Sequence, residues 1–171
     1  MDELNALSDR EALDAFTACL ASPTWVSRLV RARPFATRHA LMETAEIAWR
    51  ELGPDEWNAA IAHHPRIGRS TVGASASAST NEHSAGWSAD EQSAARSGDS
   101  AMAARMTTAN AEYERRFGHR FIISATGKSA HEILDAIRTR LAHDPVVESL
   151  VTAEELRKIA RLRLDKLIPA A

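Results

Sequence analysis

Apolar residues recur every three or four positions along most of this chain and strict alternation is nearly absent, a pattern that predicts an all-α fold. Ser8 with Glu11 makes the capping-box spacing and opens a helix that sets Leu13, Phe16 and Leu20 on one face. Ser22-Pro23 ends or restarts it, a short helix carries Trp25, Val26 and Leu29, and Pro34 separates that from a longer one striped by Leu41, Ala45, Ala48 and Leu52. Gly53-Pro54 stops the stripe, and a helix from Pro54 to Ala62 turns Trp57 and Ile61 inward. A long helix is predicted from about Asp99 to Phe117, with Met102, Met106, Ala109, Tyr113 and Phe117 on one face. Gly118 breaks it. The apolar run Phe121-Ile122-Ile123-Ser124 is too short and too alone to make a sheet and reads as an extended buried segment over 121–124. Ser129 with Glu132 opens a helix through Ile133, Leu134, Ile137 and Leu141. Asp144-Pro145 opens the last, where Leu156, Ile159, Ala160, Leu164 and Leu167 repeat.

The segment from Arg69 to Gly86 is built of Ser, Ala, Thr and Gly, has little apolar surface to bury, and is expected to be a flexible surface loop. At 171 residues the expectation is one compact helical domain over 1–171, with 44% hydrophobic and 26% charged residues, as in ordinary globular proteins. A net charge of −2, with four Trp, four Phe and one Tyr, argues against a nucleic-acid partner. No run approaches a membrane span, and the start of the chain lacks a basic-then-apolar segment, so a cytoplasmic protein without a membrane partner is expected. Cys19, the single cysteine, falls beside Phe16 and Leu20 and is expected to be a buried thiol. The basic residues Arg157, Lys158, Arg161, Arg163 and Lys166 read as the solvated face of the last helix.

The chemistry concentrates at His64-Pro65-Arg66-Ile67-Gly68. Proline locks its own φ and biases the preceding residue away from helical geometry, so this spacing makes an elbow that presents His64. Such an elbow is either a plain turn or a site that exchanges protons. Glu91 also has two readings. Ser88-x-x-Glu91 is a capping box, and the same carboxylate, followed by the amide of Gln92, is placed to meet a small polar ligand. No His-x3-His pair or paired cysteines point to a metal, and no nucleophile elbow or phosphate-cradling loop is present. On these residues alone, a non-catalytic helical module for binding small molecules or partners stands beside an enzyme.

Three segments in order change that balance: His64 to Gly68, then Ser88-x-x-Glu91-Gln92, then Tyr113-x3-Phe117-Gly118-x2-Phe121 running on to Ser129. Together they resemble the OHCU decarboxylase family, OHCU being 2-oxo-4-hydroxy-4-carboxy-5-ureidoimidazoline, and the resemblance runs from Arg33-Pro34-Phe35 to Lys158–Leu164. It implies an all-α homodimer that uses no metal or organic cofactor and decarboxylates OHCU to (S)-allantoin, the last step of urate oxidation in purine catabolism. By the same resemblance, His64 and Glu91 take the catalytic positions. Pro65, Ser88 and Gln92 take substrate-contacting ones, and Ile122, Ile123, Ser124 and Ala125 offer backbone groups to the ring. Where some members carry an arginine after the extended segment this chain has Thr126-Gly127-Lys128, which leaves the binder of the substrate carboxylate unassigned. His119 and Arg120 replace the more apolar residues often found there, and are either surface substitutions or pocket contacts.

Overall fold

Ser8 and Ser129 each accept a hydrogen bond from the backbone N–H three residues on, while Glu11 and Glu132 reach back to the serine N–H, so both predicted capping boxes form. Those bonds hold the two glutamate carboxyls below their ordinary values. The computed structural model describes residues 1–67, 87 and 100–168, and the expected loop over 69–86 lies outside them. The described helices are α1 (Asp2–Ala6), α2 (Asp9–Cys19), α3 (Pro23–Arg31), α4 (Arg38–Arg50), α5 (Pro54–His63), α6 (Ser100–Phe117), α7 (Ala130–Arg140) and α8 (Pro145–Leu167). The fold is all-α, and residues 120–125 run outside any helix, as their short apolar pattern predicts.

The chain divides into two compact units, Met1–Ala60 with the segment from Arg157, and Ile61–Leu156. In the first, Phe16, Trp25, Leu29, Leu41, Trp49 and Leu164 are buried, and the Trp25 indole N–H donates to the Ala45 carbonyl at 3.0 Å. Cys19 is a buried free thiol. Asn5 and Phe35 exchange two 2.9 Å bonds between side-chain amide and backbone, which ties α1 to the stretch before α4.

Two expectations are corrected here. Leu13 is 41% exposed, because Ala12, Phe16 and Cys19 form the inward face of α2 and Leu20 caps the helix in an extended conformation instead of continuing its stripe. Arg163 is buried at 3% exposure, since it lies four and seven residues beyond the buried Ile159 and Leu156, and its guanidinium donates to the Ala18 carbonyl at 3.2 Å. Arg157 is also no simple solvated residue: it pairs with Glu46 at 2.7 Å.

The second unit is built on Met102, Met106 and Tyr113 of α6, Ile133, Leu134 and Ile137 of α7, and Phe121 and Ala125 between the two helices. Tyr113 meets Phe121 edge-on at 5.0 Å between centroids, a favoured aromatic geometry. A polar cluster is buried within this unit. Arg140 donates to Glu148 at 2.6 and 2.8 Å and to Thr152 at 2.8 Å, and Glu148 also accepts from the Tyr113 hydroxyl and pairs with His143 at 2.8 Å. Burial alone would raise the Glu148 carboxyl. The bonds from Arg140 and Tyr113 outweigh it and hold the group below its ordinary value. Burial, reinforced by the bond to Glu148, pushes the Tyr113 phenol upward and keeps it protonated.

Candidate active site

Helix α5 ends where the sequence predicts. The His64 N–H bonds to the Ile61 carbonyl at 3.0 Å, a tightened last turn, and Pro65 then has no N–H with which to continue. His64 is buried at 8% exposure, whereas Pro65 and Arg66 are exposed and Ile67 drops into the apolar core of the second unit. The elbow is held from three directions. Arg66 and Glu114 of α6 form a two-pronged ion pair at 2.6 and 2.7 Å, which keeps the guanidinium above its ordinary value. The Asn110 amide, buried in α6, donates to the Ile67 carbonyl at 3.3 Å and to the Met106 carbonyl at 2.9 Å. Arg120 donates from one nitrogen to the carbonyls of Ala62, at 2.8 Å, and His64, at 2.5 Å.

The extended segment is held as firmly. Phe121, Ile122 and Ala125 are buried, while Ile123 and Ser124 are half-buried. The Ile122 carbonyl accepts from Arg140 at 2.8 Å, and the Ser124 N–H donates to Glu155 at 2.8 Å. An N–H has one proton to give, so the Ser124 backbone donor is committed to a side chain of α8. His64, Pro65 and Ile122 to Ala125 therefore all lie in the second unit on braced backbone, whereas Ser88, Glu91 and Gln92 lie outside the described residues. Among the described residues no group of three His, Cys, Asp or Glu side chains is placed to hold a metal ion.

The bracing residues Asn110, Glu114, Arg140 and Glu155 were not singled out by the sequence reading. Two of them had a signal. Asn110 interrupts the apolar stripe between Met106 and Tyr113, and Glu148, the partner of Arg140, stands at helical spacing from Thr152 and Leu156. A polar residue at a core position of a helix is buried with partners or not at all. For Arg120, left open between surface and pocket, the structure gives a third answer: it contacts the backbone of the elbow.

An all-helical protein whose helix end presents a clamped, buried histidine is the class that fold and site define. The family model for OHCU decarboxylase matches residues 5–165, across both units, and the chain belongs to that family. It is 30% identical over 171 residues to the 2-oxo-4-hydroxy-4-carboxy-5-ureidoimidazoline decarboxylase of Amia calva, covering 98% of this chain and 94% of that one. It is 31% identical over 154 residues to the uric acid degradation bifunctional protein TTL of Arabidopsis thaliana. That alignment takes in 90% of this chain and only 46% of the plant protein. A crystal structure of OHCU decarboxylase in the presence of (S)-allantoin superposes with a TM-score of 0.73 at 25% identity, over 90% of this chain and 96% of that one. A crystal structure of (S)-allantoin synthase, at 19% identity and a TM-score of 0.69, shares the fold over 98% of this chain and 53% of that one.

Proposed function

We propose that this chain decarboxylates OHCU to (S)-allantoin without a cofactor, with His64 and Glu91 as its catalytic residues. The observation that carries the reading, beyond family membership, is the presentation of His64, a buried imidazole at a helix end with the adjoining backbone braced on three sides. Pre-organisation of that kind places a proton-transfer group without ordering it at the moment of reaction.

The substrate supplies its own electron sink. As the bond to the carboxylate breaks and CO2 leaves, the electron pair moves into the adjacent C=N bond. The ring nitrogen takes a proton, the hydroxyl gives one up as its carbon becomes the ring carbonyl, and a proton is delivered to the former C=N carbon, which bears the ureido group, to give allantoin. His64 exchanges a proton with the substrate hydroxyl, the task to which an imidazole is suited as general acid or base. Glu91 holds the ureido or ring N–H groups, relays the proton or crowds the leaving carboxylate. Pro65, Ser88 and Gln92 line the ring. With the Ser124 N–H given to Glu155, Ile122 to Ala125 offer the ring their remaining backbone groups. Delivery of the proton to one face sets the S configuration.

We further assign a cytoplasmic homodimer. No helix among the described residues is long and apolar enough to cross a membrane, and Val146, Val147 and Leu150 of α8 offer exposed apolar surface that a second copy would bury. The test of function is formation of optically active allantoin from freshly generated OHCU by the wild type and by His64→Ala and Glu91→Ala. Both variants should keep the helical circular-dichroism signal and lose most of the rate. A folded variant that forms (S)-allantoin at the wild-type rate removes its residue from the mechanism. A wild type that neither turns over OHCU nor is thermally stabilised by ring analogues returns the chain to the non-catalytic reading.

A further inference from the structure

Arg120 stands 56 residues from His64 in sequence and yet donates to its carbonyl. The last carbonyls of a helix have no partner within it and carry the negative end of the helix dipole, so a cation that bonds them both satisfies and neutralises them. In α5 those carbonyls include that of Ala62, in the last turn, and that of His64, one residue past it; Arg120 takes both with one nitrogen. The geometry follows from a short relay. Gly118 ends α6 at φ +76, and its N–H bonds to the Glu114 carbonyl at 2.9 Å. His119 then lies flat near Phe117, at 6.2 Å between centroids, and edge-on to Tyr113 at 5.6 Å. Phe121 is buried in the core beyond it. Arg120 thus sits between two aromatic anchors and has little freedom in where its side chain starts.

We propose that Arg120 is a positioning residue for the proposed decarboxylation: by gripping the carbonyls on either side of the α5 terminus it fixes the peptide planes around His64 and so the direction in which the imidazole meets the substrate. Proline biases the ψ of the preceding residue toward extended values, and the bond from Arg120 to the His64 carbonyl holds that peptide plane within the range left to it. The Arg66–Glu114 pair and the Asn110 amide act further along, at residues 66 and 67, and do not replace it.

The inference rests on the proposed role of His64, so the experiment reads Arg120 both with and without catalysis. Arg120→Gln and Arg120→Lys are compared with wild type and with Arg138→Gln, an exposed control that pairs with Asp135 in its own helix. In Arg120→Gln, kcat should fall about ten- to hundredfold, the scale expected when a catalytic group is misplaced by about 1 Å, with KM changed less than about threefold. Arg120→Lys, whose ammonium can still donate to both carbonyls, should recover most of kcat. Without substrate, the His64 imidazole carbon resonance, identified by its loss in His64→Gln, should be single and sharp in wild type and Arg120→Lys, and broadened or doubled in Arg120→Gln. A folded Arg120→Gln with wild-type kcat and an unchanged His64 signal overturns the proposal, as does an Arg120→Lys no better than Gln. Should Arg120→Gln fail to fold, Arg120→Lys decides: at least half the wild-type kcat with a sharp His64 signal supports the grip, and less than a tenth overturns it. If the wild type shows no decarboxylation, the functional reading fails, and the resonance still tells whether Arg120 orders His64.

Discussion

The Arg140 guanidinium bonds the Ile122 carbonyl at 2.8 Å with one nitrogen while its other two hold Glu148. One buried cation therefore serves both the ion pair of the second unit and the segment expected to meet the substrate ring. Removing one partner of such a pair strands the other charge. Arg140→Met is expected to cost about 3–5 kcal/mol, and the double variant Arg140→Met/Glu148→Met to recover a large part of it, because two apolar side chains leave no charge unpaired. Urea denaturation of the three proteins measures both quantities, and a double variant no better than the single would show that the pair itself is not the source.

The same carboxyl predicts an acid response. Glu148 has a folded-state value below its ordinary one, so it contributes stability that is fully present above the unfolded value, about 4.3, and is lost as the pH falls through the folded one. Unfolding free energy should be insensitive to this group above about pH 5 and should fall below about pH 4.3. Glu148→Gln should show a shallower decline over that lower range than wild type. Parallel curves would mean that Glu148 titrates alike in both states.

Gly118 tests the relay behind Arg120. At φ +76 a side chain is strained even though a Cβ would meet nothing within 4 Å, so Gly118→Ala should cost about 1–2 kcal/mol through the backbone alone. Gly118→Asn should cost less, since asparagine tolerates this region. Equal losses in the two variants, read by thermal and urea unfolding, would contradict a purely conformational cause.

Cys19 reports on the first unit. Fully buried among apolar neighbours, it should react with a thiol reagent orders of magnitude more slowly in native protein than in urea, and a rapid native reaction would disprove its burial.

Most of the fold could be read along the chain because its signals agree. Ser8 with Glu11 and Ser129 with Glu132 fix helix starts, Gly53-Pro54 and Gly118 fix stops, and the stripes between them have helical spacing. Where charge and position conflicted, position won: Arg163 and Glu148 occupy core positions of α8 and are buried with partners, although their chemistry suggested water. Leu13 failed for a subtler reason. Two faces of α2 satisfy the spacing equally, and only packing against α3 chooses between them. At the site, His64 was visible because proline punctuates the sequence beside it. The bonds that Arg120, Glu114 and Asn110 make to the elbow were not, because each crosses more than forty residues, a separation that local pattern cannot register.

The division of the chain has a consequence for the order in which a newly made molecule can fold. Everything the Ile61–Leu156 unit needs has been synthesised by residue 156, whereas the first unit waits for Arg157, Arg163 and Leu164 to reach Glu46, Ala18 and the core begun 100 or more residues earlier. The half carrying the His64 elbow is one continuous stretch of chain, whereas the other is assembled from two separated stretches. The half that begins the sequence is completed last.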